Sequence, residues 1–237
     1  MVKHPMVELA RPGTQPAYFF SPYASTVARS PRLPLVPLPA TLTERTGPVF
    51  GQELIREHDN DLTVQHSGNP IGERIVVHGR VLDEDGKPVR RALVEVWQAN
   101  AAGRYRHKVD TYDAPLDPNF SGGGRMLTDE HGRYWFKTIK PGPYPWGNHY
   151  NAWRPSHIHF SLFGAGILSR LVTQMYFPGD PLQPFDPIFN SIPDAAARQR
   201  LVSRLDMERS ESNYLLAYAW DIVLRGKADT PFEEDHQ

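Results

Sequence analysis

Hydrophobic and polar residues alternate along much of the chain after residue 73, and this alternation predicts β-strands. The runs cover residues 74–82, 91–98, 134–139, 158–163, 170–177 and 215–224. Side chains of a strand point alternately to opposite faces, so each run can turn its hydrophobic residues to one side of a sheet. A short turn joins the first two runs, which we expect to form a hairpin or to be near neighbours. About seven strands with short turns predict a mainly β protein with a β-sandwich core.

Helices are predicted to be few and short. Asp194 is a typical N-cap residue, and the segment 195–205 that follows it has the composition of a helix. Three aliphatic residues of this segment fall on one helical face: Leu201, Val202 and Leu205. A second, shorter helical turn is expected near residues 50–57.

The first 50 residues contain nine prolines and differ from the rest of the chain. Because proline fixes φ and lacks a backbone N–H, we expect an extended arm here, without regular helix or a central strand. The arm is also rich in aromatic and aliphatic residues, which predicts packing against the body or a partner chain. The expected division is therefore an arm over 1–50 and a β-sandwich catalytic domain over 51–237.

Charge and composition narrow the classes of function. The 237 residues include 26 Lys and Arg and 27 Asp and Glu, so the net charge of -1 argues against nucleic acid or an anionic membrane as the main partner. Without cysteine, disulfides, iron–sulfur clusters, thiolate zinc sites and cysteine nucleophiles are excluded. The chain lacks a run of 18 apolar residues and starts without a signal-peptide pattern, which predicts a cytoplasmic protein.

The most informative segment contains two histidines separated by one residue. His157 and His159 fall on the same face of a predicted strand, whereas Ile158 and Phe160 face the core. Two such imidazoles suit a metal, although the same pattern also fits two surface histidines. A Pro-Tyr-Pro segment at 143–145 and a nearby arginine favour the metal site.

Two histidines leave a metal under-coordinated, so oxygen ligands are needed. The facial triad of Fe(II) oxygenases needs a carboxylate, but Asp and Glu are absent from 141–179, so only a distant one could serve. Phenolate is the alternative, and it suits Fe(III). Tyr144 is the local candidate and Tyr105 the second. From the residues alone, Tyr105 is no better a candidate than Tyr112, Tyr134 or Tyr176.

Four segments in order carry a resemblance to a known family. They are Trp-Gln-Ala-Asn-Ala-Ala-Gly-Arg-Tyr at 97–105, Asp-Pro-Asn-Phe at 117–120, Thr-Ile-Lys-Pro-Gly-Pro-Tyr-Pro-Trp at 138–146 and Trp-Arg-Pro-Ser-His-Ile-His-Phe at 153–160. From about Tyr23 to Phe232 the chain resembles the intradiol ring-cleaving dioxygenases, within them the iron-binding β chain of the branch that acts on protocatechuate. The resemblance implies one Fe(III) per chain, held by a set of four ligands: Tyr105, Tyr144, His157 and His159.

The resemblance also implies roles around the iron. Arg154 would stabilise negative charge on the substrate, and Tyr144 would be the phenolate that leaves the metal when substrate binds. Gln174 would lie behind that arginine. The residues expected around the substrate are Tyr23, Trp97, Trp146 and Ile188. The ordinary alternatives are a salt-bridged rim arginine for Arg154 and core packing for Gln174, Trp97, Trp146 and Ile188.

One position departs from the family pattern. Many relatives carry arginine directly after Pro-Tyr-Pro-Trp, whereas this chain has Gly147. A contribution of that position to binding a substrate carboxylate is therefore in doubt.

The function that the resemblance implies is the cleavage of protocatechuate with O₂ to 3-carboxy-cis,cis-muconate, on a transthyretin-like (prealbumin-like) sandwich. An α chain in a large α/β oligomer would be the partner. One alternative is an enzyme of the catechol 1,2-dioxygenase type, whose helical leader the proline-rich arm does not match. The other is a non-catalytic β-sandwich binding module, which the strand pattern alone would fit equally well.

Overall fold

The computed structural model describes residues 11–34, 36, 55–164 and 170–233. Its strands are β1 (Arg74–Leu82), β2 (Leu93–Trp97), β3 (Gly123–Leu127), β4 (Arg133–Ile139), β5 (Tyr144–Pro145), β6 (Trp153–Arg154), β7 (His157–Phe163), β8 (Leu171–Tyr176), β9 (Arg204–Glu211), β10 (Leu215–Ala219) and β11 (Ile222–Val223). The helices are α1 (Ala24–Arg29), α2 (Pro187–Asn190) and α3 (Ala195–Gln199), with a 3₁₀ turn at Gln183–Phe185. Within these ranges, none of the helices is long and apolar enough to cross a membrane.

Two sheets form the body of the protein. In the first, β1 pairs antiparallel with β4 on one edge and parallel with β10 and β11 on the other, and β9 continues beyond β10. In the second, the order is β3-β2-β7-β8, with every pair antiparallel. A small ladder joins β5 to β6. The mainly β fold with few short helices is confirmed.

The core lies where side chains of both sheets meet. Phe136 of β4 and Phe160 of β7 are fully buried, and their ring centroids are 5.7 Å apart. Trp220 packs on Phe160 from the first sheet at 4.8 Å. The period-two runs thus bury their hydrophobic residues as alternation predicts. The transthyretin-like description of this arrangement stays a prediction.

The predicted hairpin between the first two runs is wrong. β1 and β2 lie in different sheets, although a tight turn does follow β1 and lets the Val89 N–H donate to the Val81 carbonyl. The chain then passes through Arg91, whose φ of 52° lies in the left-handed region, and enters the second sheet. The turn was recognisable in the sequence, but this change of direction was not.

The helix predicted over 195–205 is too long. Asp194 does cap α3 by accepting a hydrogen bond from the Ala197 N–H, but α3 ends at Gln199. The helix ends early because Val202, just after α3, forms a β-bridge with Tyr176 at the end of β8. Leu205 lies in β9 and is 45% exposed. For the helical turn predicted near 50–57, residues 50–54 lie outside the described part, and 55–57 are not helical.

The described part of the arm contains helix α1 between Pro22 and Pro31, which contradicts the expectation of an arm without regular helix. Proline bars the interior of a helix but not a short helix between two prolines. Backbone hydrogen bonds tie this segment to the body, from the Ala17 N–H to the Ser191 carbonyl and from the Asp194 N–H to the Gly13 carbonyl, each 2.9 Å. The division at residue 50 stays a prediction.

Candidate active site

The two histidines lie on β7, between β2 and β8, where both faces of the strand are covered. His157 and His159 are 2% and 8% exposed, and their ring centroids are 4.8 Å apart. Ile158 and Phe160 point the other way, into the core. The histidines are therefore neither surface residues nor core residues, since they line a buried centre on the far side of the sheet.

Hydrogen bonds fix which nitrogen of each imidazole faces this centre. His157 Nδ1 lies 2.7 Å from the Pro155 carbonyl oxygen, which can only accept, so Nδ1 carries the proton. His159 Nδ1 lies 2.9 Å from the Glu233 carboxylate, which has the same effect. In the neutral rings Nε2 then carries the lone pair. Both Nε2 atoms thus face the centre as electron-pair donors.

Two phenols meet these lone pairs. Tyr105 Oη lies 3.2 Å from His159 Nε2, and Tyr144 Oη lies 3.3 Å from His157 Nε2. The two tyrosine rings meet edge to face, with centroids 5.3 Å apart. The structure thus brings together the four side chains that the resemblance implies as iron ligands.

The local backbone explains how the phenols reach the centre. Tyr144 lies in β5, which pairs with β6 so that Tyr144 stands opposite Arg154. Tyr105 is anchored by its N–H, which donates to Asp110 Oδ2 at 2.7 Å. Gly103 has a φ of 77°, and a Cβ there would stand 2.1 Å from the Pro143 carbonyl oxygen. The loop that carries Tyr105 therefore depends on a glycine to approach the loop of Tyr144.

Burial keeps both phenols and the His157 imidazole neutral. It raises the pKa of Tyr105 well above its usual value, and the neighbouring Tyr144 acts in the same direction. It also raises the pKa of Tyr144, against the lowering effect of Arg154. Burial, together with Arg154 and His159, lowers the pKa of His157 well below its usual value. The protonated Tyr144 phenol can then donate to the neutral His157 imidazole.

A cation would find two imidazole nitrogens and two phenol oxygens here. Among the described residues, no three His, Cys, Asp or Glu side chains come together as a metal site, so the carboxylate triad is not formed. Glu233 does approach His159, but at Nδ1 and not at the centre. The donor set fits a hard trivalent ion that displaces the two phenol protons.

Arg154 lies beside this centre in a buried network. Its Nη1 is 3.3 Å from His157 Nε2. Its Nη2 donates to Gln174 Oε1 at 2.6 Å, to Tyr176 Oη at 3.0 Å and to Asp186 Oδ2 at 2.9 Å. The side chains of Arg154 and Asp186 are 3% and 0% exposed. The guanidinium is thus fixed next to the centre and is not a solvated rim residue.

A cavity of about 410 Å³ opens on this centre. Tyr144, Arg154 and His159 border it on the inside, and its other walls include Tyr23, Trp146, Gly147 and Ile188. Tyr23 is 4% exposed, and its ring centroid lies 5.6 Å from that of Trp146. The arm therefore contributes a wall to the site.

Trp97 and Gln174 lie elsewhere than in this cavity. Trp97 stacks on the His159 ring at 4.8 Å with an interplanar angle of 4°, and it lines a second cavity of about 490 Å³. Tyr105 also lines the second cavity, whereas Tyr144 and His159 border both. Gln174 lies behind Arg154, where it accepts the hydrogen bond described above.

Comparison with known proteins agrees with this arrangement. Residues 45–226 match the family model described as dioxygenase, and residues 10–41 match that of the protocatechuate 3,4-dioxygenase beta subunit N terminal region. The protocatechuate 3,4-dioxygenase beta chain of Burkholderia cepacia is 61% identical over 222 residues, covering 93% of this chain and 94% of that one.

The chain belongs to the intradiol dioxygenase family. The alpha chain of protocatechuate 3,4-dioxygenase from Pseudomonas putida is 32% identical, over 84% of this chain and 98% of that one. Among solved structures, 3-chlorocatechol 1,2-dioxygenase from Rhodococcus opacus 1CP superposes with a TM-score of 0.56 at 26% identity, covering 73% of this chain and 66% of that chain. The family resemblance seen in the motifs, and its direction toward the beta chain, are confirmed.

Three residues of this intradiol dioxygenase site were missed in the sequence. Asp186 stands before a proline at the start of α2, where its carboxylate also accepts from the Ile188 N–H, and this helix-capping pattern was a usable signal. The sequence indicates Tyr176 only as a packing residue or a candidate ligand. Glu233 is 74 residues from His159 along the chain, and nothing in the sequence pointed to it.

The buried ion pair yields a stability prediction. Asp186→Asn keeps the shape of the side chain but leaves the Arg154 guanidinium buried without its counter-charge. We expect the free energy of unfolding in urea to fall by about 3–5 kcal/mol. Asp85→Asn is the matched control, because Asp85 pairs with Lys87 in solvent and should change stability little. An equally small effect of both substitutions would contradict the assigned importance of the buried pair.

Proposed function

We propose that the protein is the iron-binding chain of an intradiol dioxygenase that cleaves protocatechuate with O₂ to 3-carboxy-cis,cis-muconate, with both oxygen atoms entering the product. The carrying observation is that each of two phenol oxygens meets the Nε2 atom of a histidine whose Nδ1 is already engaged. The 61% identity to the Burkholderia cepacia beta chain supports the choice of substrate.

The ligands proposed for one Fe(III) per chain are Tyr105, Tyr144, His157 and His159. Phenolates are hard anionic donors that stabilise the ferric state, and fixed imidazoles complete the set. Bound there, Fe(III) supplies a Lewis acid that activates a catechol toward O₂. The two phenols must lose their protons to bind the ion, which the positive charge favours over their raised pKa.

Tyr144 and Arg154 are the residues proposed to act on the substrate. Tyr144 borders both cavities, so its Oη would be within reach of a bound catechol and, as the phenolate that gives way to substrate, would accept a catechol proton. Arg154 keeps its guanidinium beside the centre, where it stabilises negative charge developing on the substrate. Asp186, Gln174 and Tyr176 hold that guanidinium in place.

The smaller cavity is the proposed binding site of the aromatic ring. Trp146 and Ile188 are placed to contact the ring, and Tyr23 from the arm is placed near the substrate carboxylate. Trp97 stacks on the His159 ring and so orients this proposed iron ligand. A transthyretin-like sandwich over 51–237, served by an arm over 1–50, is the domain arrangement that we propose with this function.

An alpha chain is the proposed partner, in an α/β complex. Similarity to both the beta and the alpha chain of protocatechuate 3,4-dioxygenases supports this view. A cytoplasmic location stays a prediction from the sequence. The match of residues 10–41 to a beta-subunit model favours protocatechuate over the catechol 1,2-dioxygenase alternative. The buried donor set disfavours a non-catalytic module.

Oxygen uptake tests the reaction. The chain is purified alone and after co-expression with a candidate alpha chain, with iron supplied, and each preparation is given protocatechuate or catechol. We expect a coloured, iron-containing protein that consumes O₂ faster with protocatechuate. A colourless preparation without iron would refute the proposed function, whereas a preference for catechol would replace the substrate and keep the chemistry.

Removing a ligand should abolish iron binding without unfolding the protein. Tyr105→Phe deletes only the Oη atom, and His157→Ala deletes one imidazole. For both variants we expect loss of bound iron, of colour and of oxygen uptake, with an unchanged circular dichroism spectrum. Tyr214→Phe is the control, since Tyr214 is 50% exposed and lies between β9 and β10 of the first sheet, whereas the histidines lie in the second. An unchanged rate of oxygen uptake in Tyr105→Phe would remove Tyr105 from the ligand set.

Gly147 offers a test of substrate recognition. It borders the cavity, and a Cβ there would have no atom within 4 Å, so a larger side chain fits. Gly147→Arg should lower the KM for protocatechuate about two- to fivefold, as expected for one partly exposed ion pair with the substrate carboxylate. The KM for catechol, which has no carboxylate, should not change. An equal change for both substrates would show that the arginine acts without contacting the carboxylate.

A further inference from the structure

Glu233 lies against one of the proposed ligands, and no role follows for it from the motifs. Its Oε2 is 2.9 Å from His159 Nδ1, and the two side chains are only 13% and 11% exposed. The carboxylate therefore lies within hydrogen-bond distance of the ring nitrogen that does not face the centre.

The segment that carries Glu233 is fixed to the second sheet. We call residues 229–233 the C-terminal strap. The Glu233 N–H donates to the Val172 carbonyl at 2.7 Å, and Thr173 Oγ1 donates to the Pro231 carbonyl at 2.6 Å. Val172 and Thr173 lie in β8, next to the strand of His159. The strap thus crosses the edge of the sheet at β8, where the Glu233 side chain can reach His159 Nδ1.

Gln15, a residue of the arm, also forms hydrogen bonds with the strap. Gln15 Nε2 donates to Asp229 Oδ2 at 2.7 Å, and Gln15 Oε1 accepts from the Phe232 N–H at 2.9 Å. One side chain therefore spans the strap and bonds the residue directly before Glu233. Its amide offers both a donor and an acceptor, which the two contacts require.

We propose that Glu233 is a positioning residue for His159, and that Gln15 secures the strap that delivers it. The carboxylate fixes the ring with Nε2 toward the centre and raises the basicity of that nitrogen by its negative charge. The inference rests on the proposed function, because it takes His159 as an iron ligand. It adds that the arm contributes to iron binding from a distance, through two hydrogen bonds to the strap.

Iron affinity is the first measurement, made on the full chain by competition with a chelator. Glu233→Ala should lower the affinity about 10–100-fold, as is usual when the partner of a ligating histidine is removed. Glu233→Gln keeps an acceptor oxygen but loses the charge, so its affinity should lie between those of the wild type and Glu233→Ala. Its tyrosinate absorption band should also move to longer wavelength, because the iron becomes a stronger Lewis acid. A purely structural role would not move this band.

Gln15→Ala should lower the affinity in the same direction but by less, since Glu233 keeps its contacts with β8. Glu208→Gln is the matched control. Glu208 is an exposed residue of β9, so this variant should bind iron with the affinity of the wild type. An affinity of Glu233→Ala within about twofold of wild type would overturn the proposal. If Glu233→Ala does not fold, Glu233→Gln decides by the same criterion.

A measurement on the metal-free protein separates this inference from the proposed function. In the nitrogen-15 NMR spectrum, the wild type should show His159 with its proton on Nδ1, and Glu233→Ala should show the Nε2–H form increasing. Failure of the wild type to bind iron would refute the proposed function and with it the ligand role of His159, while the tautomer of the metal-free protein would still show whether Glu233 orients the ring. An unchanged tautomer and unchanged affinity in an iron-binding protein would refute only the role of Glu233.

Discussion

The site depends on a single strand that is buried on both of its faces. Alternation along β7 turns Ile158 and Phe160 into the hydrophobic core and leaves His157 and His159 on the opposite face. Because β2 and β8 flank it, β7 cannot shift its register without exposing core residues. The free energy of core packing therefore also fixes the spacing of the two imidazoles.

Around this strand, the buried phenols, imidazoles and guanidinium lie against one another or against a further partner. The phenols meet the Nε2 atoms, the Nδ1 atoms meet an acceptor, and Arg154 meets Asp186. An unpaired charge or donor in such surroundings would cost several kcal/mol, about 3–5 for one half of a buried ion pair. The same burial keeps both phenols protonated, because it raises their pKa.

The arm is a part of the site, because two of its residues contact the groups that form it. Tyr23 forms a wall of the smaller cavity, and Gln15 bonds the strap that ends beside His159. Both contacts join segments that are far apart in the chain. The proline content of the arm is consistent with this use, because a segment with few accessible conformations loses less entropy when it packs.

The sequence by itself determined strands β1, β2, β4, β7, β8 and β10, the histidine pair, the family and four candidate ligands, since these depend on period, spacing and ordered motifs. Tertiary structure decided the rest. β2 lies in the sheet opposite β1, α3 ends early where the chain pairs with β8, and Asp186 and Glu233 reach the site from distant segments. Local sequence patterns predict the backbone conformation of each element and the residues that share one of its faces. Which distant carboxylate meets a buried cation or imidazole depends on how the chain packs: the capping pattern at Asp186 marks the residue but does not reveal its partner Arg154.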